Sequence, residues 1–238
     1  MSGPRQPAAW SADVDALTAS LERRFRTTRT TVTAGGHTIE LIHPASPEDL
    51  IDEADFDRDE RLPYWADVWP SAIVLARRIA GVAGAGRALL ELGCGAGLVA
   101  SAAALAGFDV TATDYYEDSL LFTRANVVRN GGREPAVRLV DWRRFPPDLG
   151  TFDMVVASDV LYEHTYGTLV AAAIARSLRP MGLAILADPG RVAAADFVDA
   201  ARSRGLEVWT ADRVRHTHGT ATQTIDLYEV WWPPHRRR

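Results

Sequence analysis

The sequence contains no lysine, because all 26 basic residues are arginine. A Schiff-base lysine, a pyridoxal-phosphate site and a P-loop lysine are therefore excluded as sources of chemistry. The chain has one cysteine, Cys94, which also excludes an intramolecular disulfide and a zinc site built from several thiolates. This sparing use of cysteine is typical of a reducing compartment, and we expect a cytoplasmic protein.

Long apolar runs and an excess of basic charge are also missing. The longest uncharged stretch, residues 92–108, has 17 residues with four glycines, short of the about 20 apolar residues of a membrane helix. Residues 1–15 contain no apolar segment typical of a secretory signal, so we expect neither export nor a membrane partner. With a net charge of −5, the chain lacks the excess of basic residues that nucleic-acid-binding proteins have, and we expect no nucleic-acid partner.

The composition is that of a folded globular chain. Its 238 residues are 47% hydrophobic and 24% charged, values close to the average for globular domains. The length favours one large domain with an appendage over two equal domains. We predict an N-terminal extension over residues 1–60 and the main domain over residues 61–238.

From Arg87 onward, short β-branched runs alternate with amphipathic or alanine-rich stretches, which predicts parallel strands joined by helices. The last two predicted strands have only a polar, aperiodic segment between them, which predicts an antiparallel hairpin. The fold class is therefore α/β, with a Rossmann-like, mostly parallel seven-stranded sheet, an antiparallel last strand and helices on both faces. The predicted strands are 88–92, 108–113, 136–140, 152–158, 183–187, 206–210 and 223–231, and the predicted helices are 97–106, 117–129, 166–178 and 192–204.

The N-terminal extension has a different pattern. A helix is predicted over residues 13–25, followed by a small hairpin in which residues 28–33 and 37–42 flank a turn at residues 34–36. The acidic segment at residues 46–60 is predicted to be a solvated face, and the closing residues 235–238 a frayed terminus.

The clearest motif is LLELGCGAGL at residues 89–98, where a predicted strand runs into a glycine loop and then a helix. Gly93, Gly95 and Gly97 allow a sharp turn and the approach of a ligand to the backbone. Leu98 stands where dinucleotide-binding loops have their third glycine, which disfavours a nicotinamide cofactor. A tight turn without a ligand is the alternative, and Cys94 is explained by the small side chain that such a loop needs.

Acidic residues follow the next two predicted strands. Asp114 comes 17 residues after Gly97, close to where doubly wound folds place a carboxylate that accepts from an adenosine ribose. Asp141 could accept from an adenine amino group, and Trp142 could cover its ring. The alternatives are a helix N-cap for Asp114, and a buried aromatic beside a loop carboxylate for the other pair.

These motifs resemble the class I methyltransferases over residues 62–232, which implies S-adenosylmethionine as the cofactor and no metal. The segments PYWADVWPSAIVLARRI at 63–79 and SDVLYE at 158–163 resemble the family-16 protein lysine methyltransferases. ADPGR at 187–191 is similar to the branch that methylates the electron-transfer flavoprotein β subunit. The cofactor-binding residues implied are Trp69, Glu91, Gly93, Gly95, Gly97, Asp114, Asp141, Trp142 and Ser158.

The resemblance also implies the catalytic residues. Methyl transfer requires a neutral nucleophile held in line with an activated methyl, away from water. Asp159 is expected to capture the ammonium of the acceptor, Tyr162 to present a ring face to it, and Glu163 to steer it. Trp65 and Trp69 could wall the same cleft. Alternatively, the tryptophans are core aromatics and Asp159 caps the following helix.

The partner is therefore expected to be either a protein lysine or a small-molecule acceptor, and preferring lysine depends on the resemblance. A small-molecule N- or O-methyltransferase stays open, with His164 as the base for an oxygen acceptor. A cofactor-binding module without catalysis is a third possibility, and an amide or adenine methylase is disfavoured because no Asn-Pro-Pro-Tyr string is present. His216 and His218 lack a third metal ligand nearby and are predicted to be solvated loop residues.

Overall fold

The computed structural model describes residues 11–50, 63–218 and 221–234. The predictions for the acidic segment beyond residue 50 and for residues 235–238 lie outside the described residues. The helices are α1 Ser11–Arg24, α2 Pro70–Ala80, α3 Leu98–Leu105, α4 Glu117–Arg129, α5 His164–Ser177 and α6 Ala194–Ser203. The strands are β1 Thr27–Ala34, β2 His37–Pro44, β3 Ala88–Leu92, β4 Asp109–Asp114, β5 Ala136–Leu139, β6 Phe152–Ser158, β7 Leu178–Asp188, β8 Glu207–His218 and β9 Ala221–Trp231.

Seven strands form one sheet in the order β5-β4-β3-β6-β7-β9-β8. The pairs from β5 to β7 are parallel, whereas β9 runs antiparallel to both β7 and β8. The predicted fold class, with an antiparallel last strand, is confirmed. Because β3 lies between β4 and β6, the chain changes direction across the sheet there, and the carboxyl ends of these strands form the crevice where such folds bind ligands.

The sheet is buried on both faces, which explains the continuous apolar runs of its central strands. On β3, Leu89 packs into a cluster with α2 and α3, whereas Leu90 and Leu92 pack into a second cluster with α5 and α6. Successive side chains on a strand point to opposite faces, so one short run of leucines supplies both layers. This burial fixes the register of β3, and with it the position of the loop that follows.

The small hairpin of β1 and β2 packs against the main sheet's helices. Ile39 and Leu41 are fully buried in the cluster that contains α2 and α3. Asn126 of α4 donates to the carbonyls of Ile42 and Ala96, each at 2.8 Å, and accepts from the Ile42 N–H at 2.9 Å. Asn126 thereby joins the hairpin to the glycine loop, in which Ala96 lies, while the domain division at residue 60 stays a prediction.

The predicted antiparallel pairing of the last two strands is confirmed, but the polar segment between them belongs mostly to the strands, because both strands extend into it. Arg213 on β8 bonds Asp226 on β9 at 2.6 Å, and Thr217 faces Thr222 at 3.0 Å. These cross-strand pairs hold an exposed hairpin whose residues need no apolar alternation. His216 therefore lies on a strand and is buried, not solvated as predicted.

Two other elements differ from the predictions. Helix α2 was not predicted, although Pro70 at its start suits the first helical turn and its buried side chains include Ile73 and Ile79. Strand β7 begins at Leu178, five residues before the predicted start. Within the described ranges, every helix falls short of the length and apolarity that spanning a bilayer would require.

Candidate active site

A cavity opens at the carboxyl ends of the central strands. Its walls come from the loops after β3, β4, β5 and β6, together with the segment that leads into α2. The predicted site residues that line it are Trp69, Glu91, Gly93, Gly95, Asp114, Asp141, Trp142, Ser158, Asp159 and Tyr162.

The glycine loop brings its backbone to the cavity wall. Gly93 has φ +73°, and its N–H donates to the Thr113 carbonyl at 2.9 Å, joining the loop to β4. A Cβ added at Gly93 would lie 3.0 Å from the Val160 side chain and 3.6 Å from the Trp142 ring. At Gly95 it would lie 3.2 Å from the Trp65 carbonyl. The loop thus requires glycine both for its conformation and for its close approach to the walls.

Gly97 has a different role from the other two glycines. It is not among the described residues that line the cavity. A Cβ there would lie 2.7 Å from the Cα of Thr123 on α4, and its φ is +83°. Gly97 therefore permits close packing of the loop against α4.

Two buried carboxyl groups face the cavity below the loop. Asp114 accepts from the Gly95 N–H at 3.0 Å and from the Tyr116 N–H at 3.1 Å. Burial raises its pKa, although these hydrogen bonds oppose that shift. Burial, followed by repulsion from Asp114, raises the pKa of Glu91 well above the usual value, and Glu91 Oε2 is buried without a partner among the described residues.

The loop after β5 supplies Asp141 and Trp142. Asp141 caps a short 3-10 turn by accepting from the Arg143 N–H at 2.9 Å. The Trp142 ring packs edge-on against Tyr166, with centroids 5.5 Å apart. Its indole N–H is buried and has no acceptor in the described part of the chain. Both side chains line the cavity, and their contacts with adenine stay a prediction.

Asp159 follows β6 and is held in an unusual conformation. Its φ is +58°, in the left-handed region that few residues other than glycine adopt, although aspartate, asparagine and histidine occur there more often than the rest. Its Oδ1 accepts from the Arg191 guanidinium at 2.7 Å, whereas Oδ2 is buried with no partner among the described residues. Only 3% of the side chain is exposed. Strain of this kind concentrates at functional sites, because the surrounding structure must impose it.

Aromatic rings surround the cavity near Asp159. Tyr162 packs edge-on against Tyr64 at 5.5 Å and against Tyr166 at 5.0 Å, and Tyr64 packs against Trp69 at 6.1 Å. Burial is the first cause of a raised Tyr162 pKa, which keeps its phenol neutral. Trp65 is buried against Phe122, as a core aromatic, and it also lines the cavity.

Tyr64, Tyr166 and Arg191 were not among the site residues predicted from the sequence. Tyr166 lies in the first turn of α5, just beyond the SDVLYE segment, and this closeness in sequence is the signal that could have indicated it. Tyr64 lies in the tryptophan-containing segment that carried the resemblance. Arg191 is 32 residues from its partner Asp159, and the ADPGR string that contains it gives no indication of that pair.

Glu163 and His164 lie outside the cavity. Neither is among the described residues that line the cavity. Glu163 is the N-cap residue of α5, and the His164 side chain is 81% exposed, 3.8 Å from Asp196 on α6. Asp159, in turn, is not the helix cap considered from the sequence.

The cavity fits S-adenosylmethionine by its donors and acceptors. Buried polar atoms normally have a hydrogen-bond partner. Here Glu91 Oε2, Trp142 Nε1 and Asp159 Oδ2 are buried and unpartnered within the described structure, and all three residues line the same cavity. A ligand that carries an amino group, an adenine and a sulfonium would offer these atoms both hydrogen-bond partners and a compensating charge.

Comparisons with known proteins point the same way. Residues 89–182 match a family model described as a methyltransferase domain. The protein N-lysine methyltransferase METTL21A of Danio rerio is 37% identical over 122 residues, which are 47% of this chain and 55% of that protein. The electron transfer flavoprotein beta subunit lysine methyltransferase of Danio rerio is 30% identical over 148 residues, 60% of this chain and 55% of that one.

The chain spans about half the length of the curated relatives it matches. Among solved structures, the N-methyltransferase NodS of Bradyrhizobium japonicum WM9, in complex with S-adenosyl-l-homocysteine, superposes with a TM-score of 0.54 at 19% identity, covering 74% of this chain and 96% of that chain. At that identity the likeness shows the fold alone. The sheet order, the glycine loop and these similarities show the class I methyltransferase fold, with residues 89–182 matching a methyltransferase domain, and the chain resembles the protein lysine methyltransferases named above.

Proposed function

We propose that the protein transfers a methyl group from S-adenosylmethionine to the side-chain nitrogen of a lysine in another protein. The observation that carries this proposal is the surroundings of Asp159. A buried carboxylate with one unpartnered oxygen lies among tyrosine and tryptophan rings, in the cavity that the glycine loop also lines. Carboxylates and aromatic faces are the groups that recognise an alkylammonium.

The loops after β3, β4 and β5 would bind the cofactor, in the part of the cavity that we call the cofactor half. We assign the ribose hydroxyls to Asp114, and the adenine to Asp141 and Trp142. We assign the close backbone approach to Gly93 and Gly95. When bound, S-adenosylmethionine supplies a methyl group already activated by its sulfonium, so this chain's residues need to position the acceptor and exclude water.

The acceptor would bind in the part of the cavity around Asp159, which we call the acceptor half. A lysine side chain has an unperturbed pKa of about 10.4, and it must be neutral to act as a nucleophile. The Tyr64, Tyr162 and Trp69 rings provide a partly apolar wall that disfavours the charged form while still attracting the approaching cation. Asp159 Oδ2 would accept a hydrogen bond from the amine and aim its lone pair. Glu163, at the start of α5, is assigned to steering outside the cavity.

The relatives' names support a lysine acceptor, since METTL21A and the flavoprotein β-subunit enzyme are both named as lysine methyltransferases. A small-molecule oxygen acceptor would need a general base, and His164, the residue considered for that role, is exposed beside Asp196. The site therefore favours an amine. The one buried cysteine fits a cytoplasmic location, which is part of the same proposal.

The test is to incubate the purified protein with S-adenosylmethionine labelled on its methyl group and a lysine-containing cell lysate. The label is then partitioned between protein and small molecules. Asp159→Asn serves as the matched control because it keeps the shape of the side chain and removes its charge. We expect label in protein with the wild type and little with the variant. Because this enzyme has no lysine of its own, labelled lysine must belong to a lysate protein.

Label found only in small molecules, and dependent on the wild-type protein, would support the small-molecule alternative. Equal incorporation by wild type and Asp159→Asn would remove Asp159 from the mechanism. Failure of the protein to bind S-adenosylhomocysteine would overturn the proposal as a whole, because every assigned role depends on that cofactor.

A further inference from the structure

Arg191 holds a fixed position beside the acceptor half of the cavity. It lies in the loop between β7 and α6, where its backbone N–H donates to Asp188 at 2.7 Å. Its side-chain Nε donates to Asp159 Oδ1 at 2.7 Å, and its guanidinium carbon lies 5.2 Å from the centroid of the Trp69 ring. A cation thus occupies one oxygen of the carboxylate and leaves the other unpartnered.

We propose that Arg191 is a positioning residue that cancels the charge of Asp159, so that an acceptor lysine that approaches as the ammonium releases its proton to solvent and is held in its neutral form. This inference rests on the proposed function and adds a residue to which no role has been given. Arg191 is not among the described residues that line the cavity, so it acts through Asp159.

The reason is electrostatic. A buried carboxylate without a counter-charge would bind the lysine ammonium tightly and raise its pKa, because an opposite charge within a few ångströms favours the charged form. An ammonium has no free lone pair and cannot attack a methyl group. The Arg191–Asp159 pair has no net charge, yet Asp159 Oδ2 can still accept a hydrogen bond from a neutral amine. The pair therefore orients the amine without holding its proton.

The other charged groups near this point do not replace Arg191. Among the described residues, Arg143 is the basic side chain that lines the cavity itself, and it lies after β5 with Asp141. Asp188 lies directly behind the pair, and burial raises its pKa, with a further contribution from the charge of Asp159. The remaining titratable groups that line the cavity are Tyr64, Asp67, Glu91, Cys94, Asp114, Tyr115, Tyr116, Tyr162 and Tyr166, and Glu163 follows Asp159 in the same loop. Apart from Arg191 and Arg143, these groups are acids, so removal of Arg191 leaves an acidic site.

The test compares two ligands in the full chain. S-adenosylhomocysteine has no group at the methyl position, whereas sinefungin carries there a primary amine that is protonated at neutral pH. Calorimetry gives the ratio of their dissociation constants for the wild type, Arg191→Met, Arg191→Lys and the double variant Arg191→Met with Asp159→Asn. Arg179→Met, which removes the exposed partner of Asp153 on β6, is the matched control.

We expect Arg191→Met to bind sinefungin about tenfold more tightly relative to S-adenosylhomocysteine, since one pKa unit of charge coupling corresponds to a factor of ten. Arg191→Lys keeps the cation and should keep the wild-type ratio. The double variant should return to that ratio, because the uncompensated carboxylate is gone. Arg179→Met should change nothing.

An unchanged ratio in Arg191→Met, with S-adenosylhomocysteine bound as in the wild type, would overturn the inference and leave the proposed function intact. The same change in Arg191→Lys as in Arg191→Met would also overturn it, since charge would not be the cause. A large loss of S-adenosylhomocysteine affinity in Arg191→Met would assign the residue to the cofactor site instead. Absence of S-adenosylhomocysteine binding by the wild type would overturn the proposed function and, with it, this inference.

Discussion

The carboxylate of Asp114, at the end of β4, accepts the N–H of Gly95 at 3.0 Å in the loop that follows β3. Two neighbouring strand ends are thereby joined at the point where the chain changes direction across the sheet. Its carboxylate oxygens accept the N–H groups of Gly95 and Tyr116, and the side chain also lines the cavity. The residue that shapes the loop is therefore also placed to bind what enters the cavity.

Replacing Asp114 by alanine should weaken binding of S-adenosylhomocysteine by about 1.5 to 3 kcal/mol, the range for hydrogen bonds to a charged group. Both the ligand contact and the anchor of Gly95 are lost. Calorimetry on the variant measures the effect. Asp148→Ala is the control, because Asp148 forms an exposed ion pair with Arg138 on the surface; equal affinities for the two variants would refute the assignment.

Much of the fold could be predicted because buried parallel strands have an unambiguous pattern. β3 and β6 lie where the continuous apolar runs placed them. The β8–β9 hairpin could not be delimited, because its outer half is exposed and held by polar cross-strand pairs such as Arg213 with Asp226. Helix α2 was not predicted, although Pro70 marks its start.

The candidate site, too, could be predicted from the sequence only in part. Gly93, Gly95 and Asp114 could be located because each lies at the end of a strand or shortly after it, and strand ends converge at one edge of the sheet. The ion pair of Asp159 with Arg191 could not be located, since it joins two loops whose relative position only the assembled sheet determines. Local sequence also cannot distinguish a glycine that faces a ligand from Gly97, which faces α4.

The packing role of Gly97 predicts a loss of stability. Gly97→Ala should lower the free energy of unfolding by about 2 to 5 kcal/mol, combining the cost of a left-handed conformation with overpacking against the Thr123 backbone. Gly150→Ala is the matched control, since its φ is +89° but an added Cβ meets nothing within 4 Å. Its expected cost is about 1 to 2 kcal/mol. Urea denaturation of both variants distinguishes the contributions, and equal losses would contradict the packing role.

The buried carboxyl group of Glu91 should make the stability of the ligand-free protein depend on pH. Its pKa is raised in the folded state, first by burial and then by Asp114. The stabilising contribution of its neutral form is therefore fully present below the unfolded pKa of a glutamate and is lost as pH rises through the raised folded value. Glu91→Gln, which is always neutral, should become increasingly more stable than the wild type as pH rises.

Thermal melting of both proteins between pH 4 and pH 9, without ligand, measures this difference. Glu207→Gln, at an exposed position at the start of β8, controls for the substitution itself. A constant difference between wild type and Glu91→Gln across that range would show that Glu91 does not titrate as its burial indicates.

Asp159 and His164 separate the two classes of acceptor. Asp159→Asn should leave S-adenosylhomocysteine affinity nearly unchanged and reduce turnover at least about tenfold, since a charge-assisted hydrogen bond to the acceptor is lost. His164→Ala should change neither quantity, because the ring is exposed beside Asp196. Steady-state kinetics on the acceptor found in the lysate provides the comparison. Full activity of Asp159→Asn together with loss of activity in His164→Ala would instead favour an oxygen acceptor.

The central claim is that a lysine side chain receives the methyl group, and the product itself tests it most directly. Protein labelled by the wild-type enzyme and methyl-labelled S-adenosylmethionine is hydrolysed, and the labelled amino acid is identified by chromatography against methylated standards. We predict that the label is recovered as Nε-methylated lysine and that it disappears with Asp159→Asn. Label recovered in another amino acid, or only outside the protein fraction, would contradict the account.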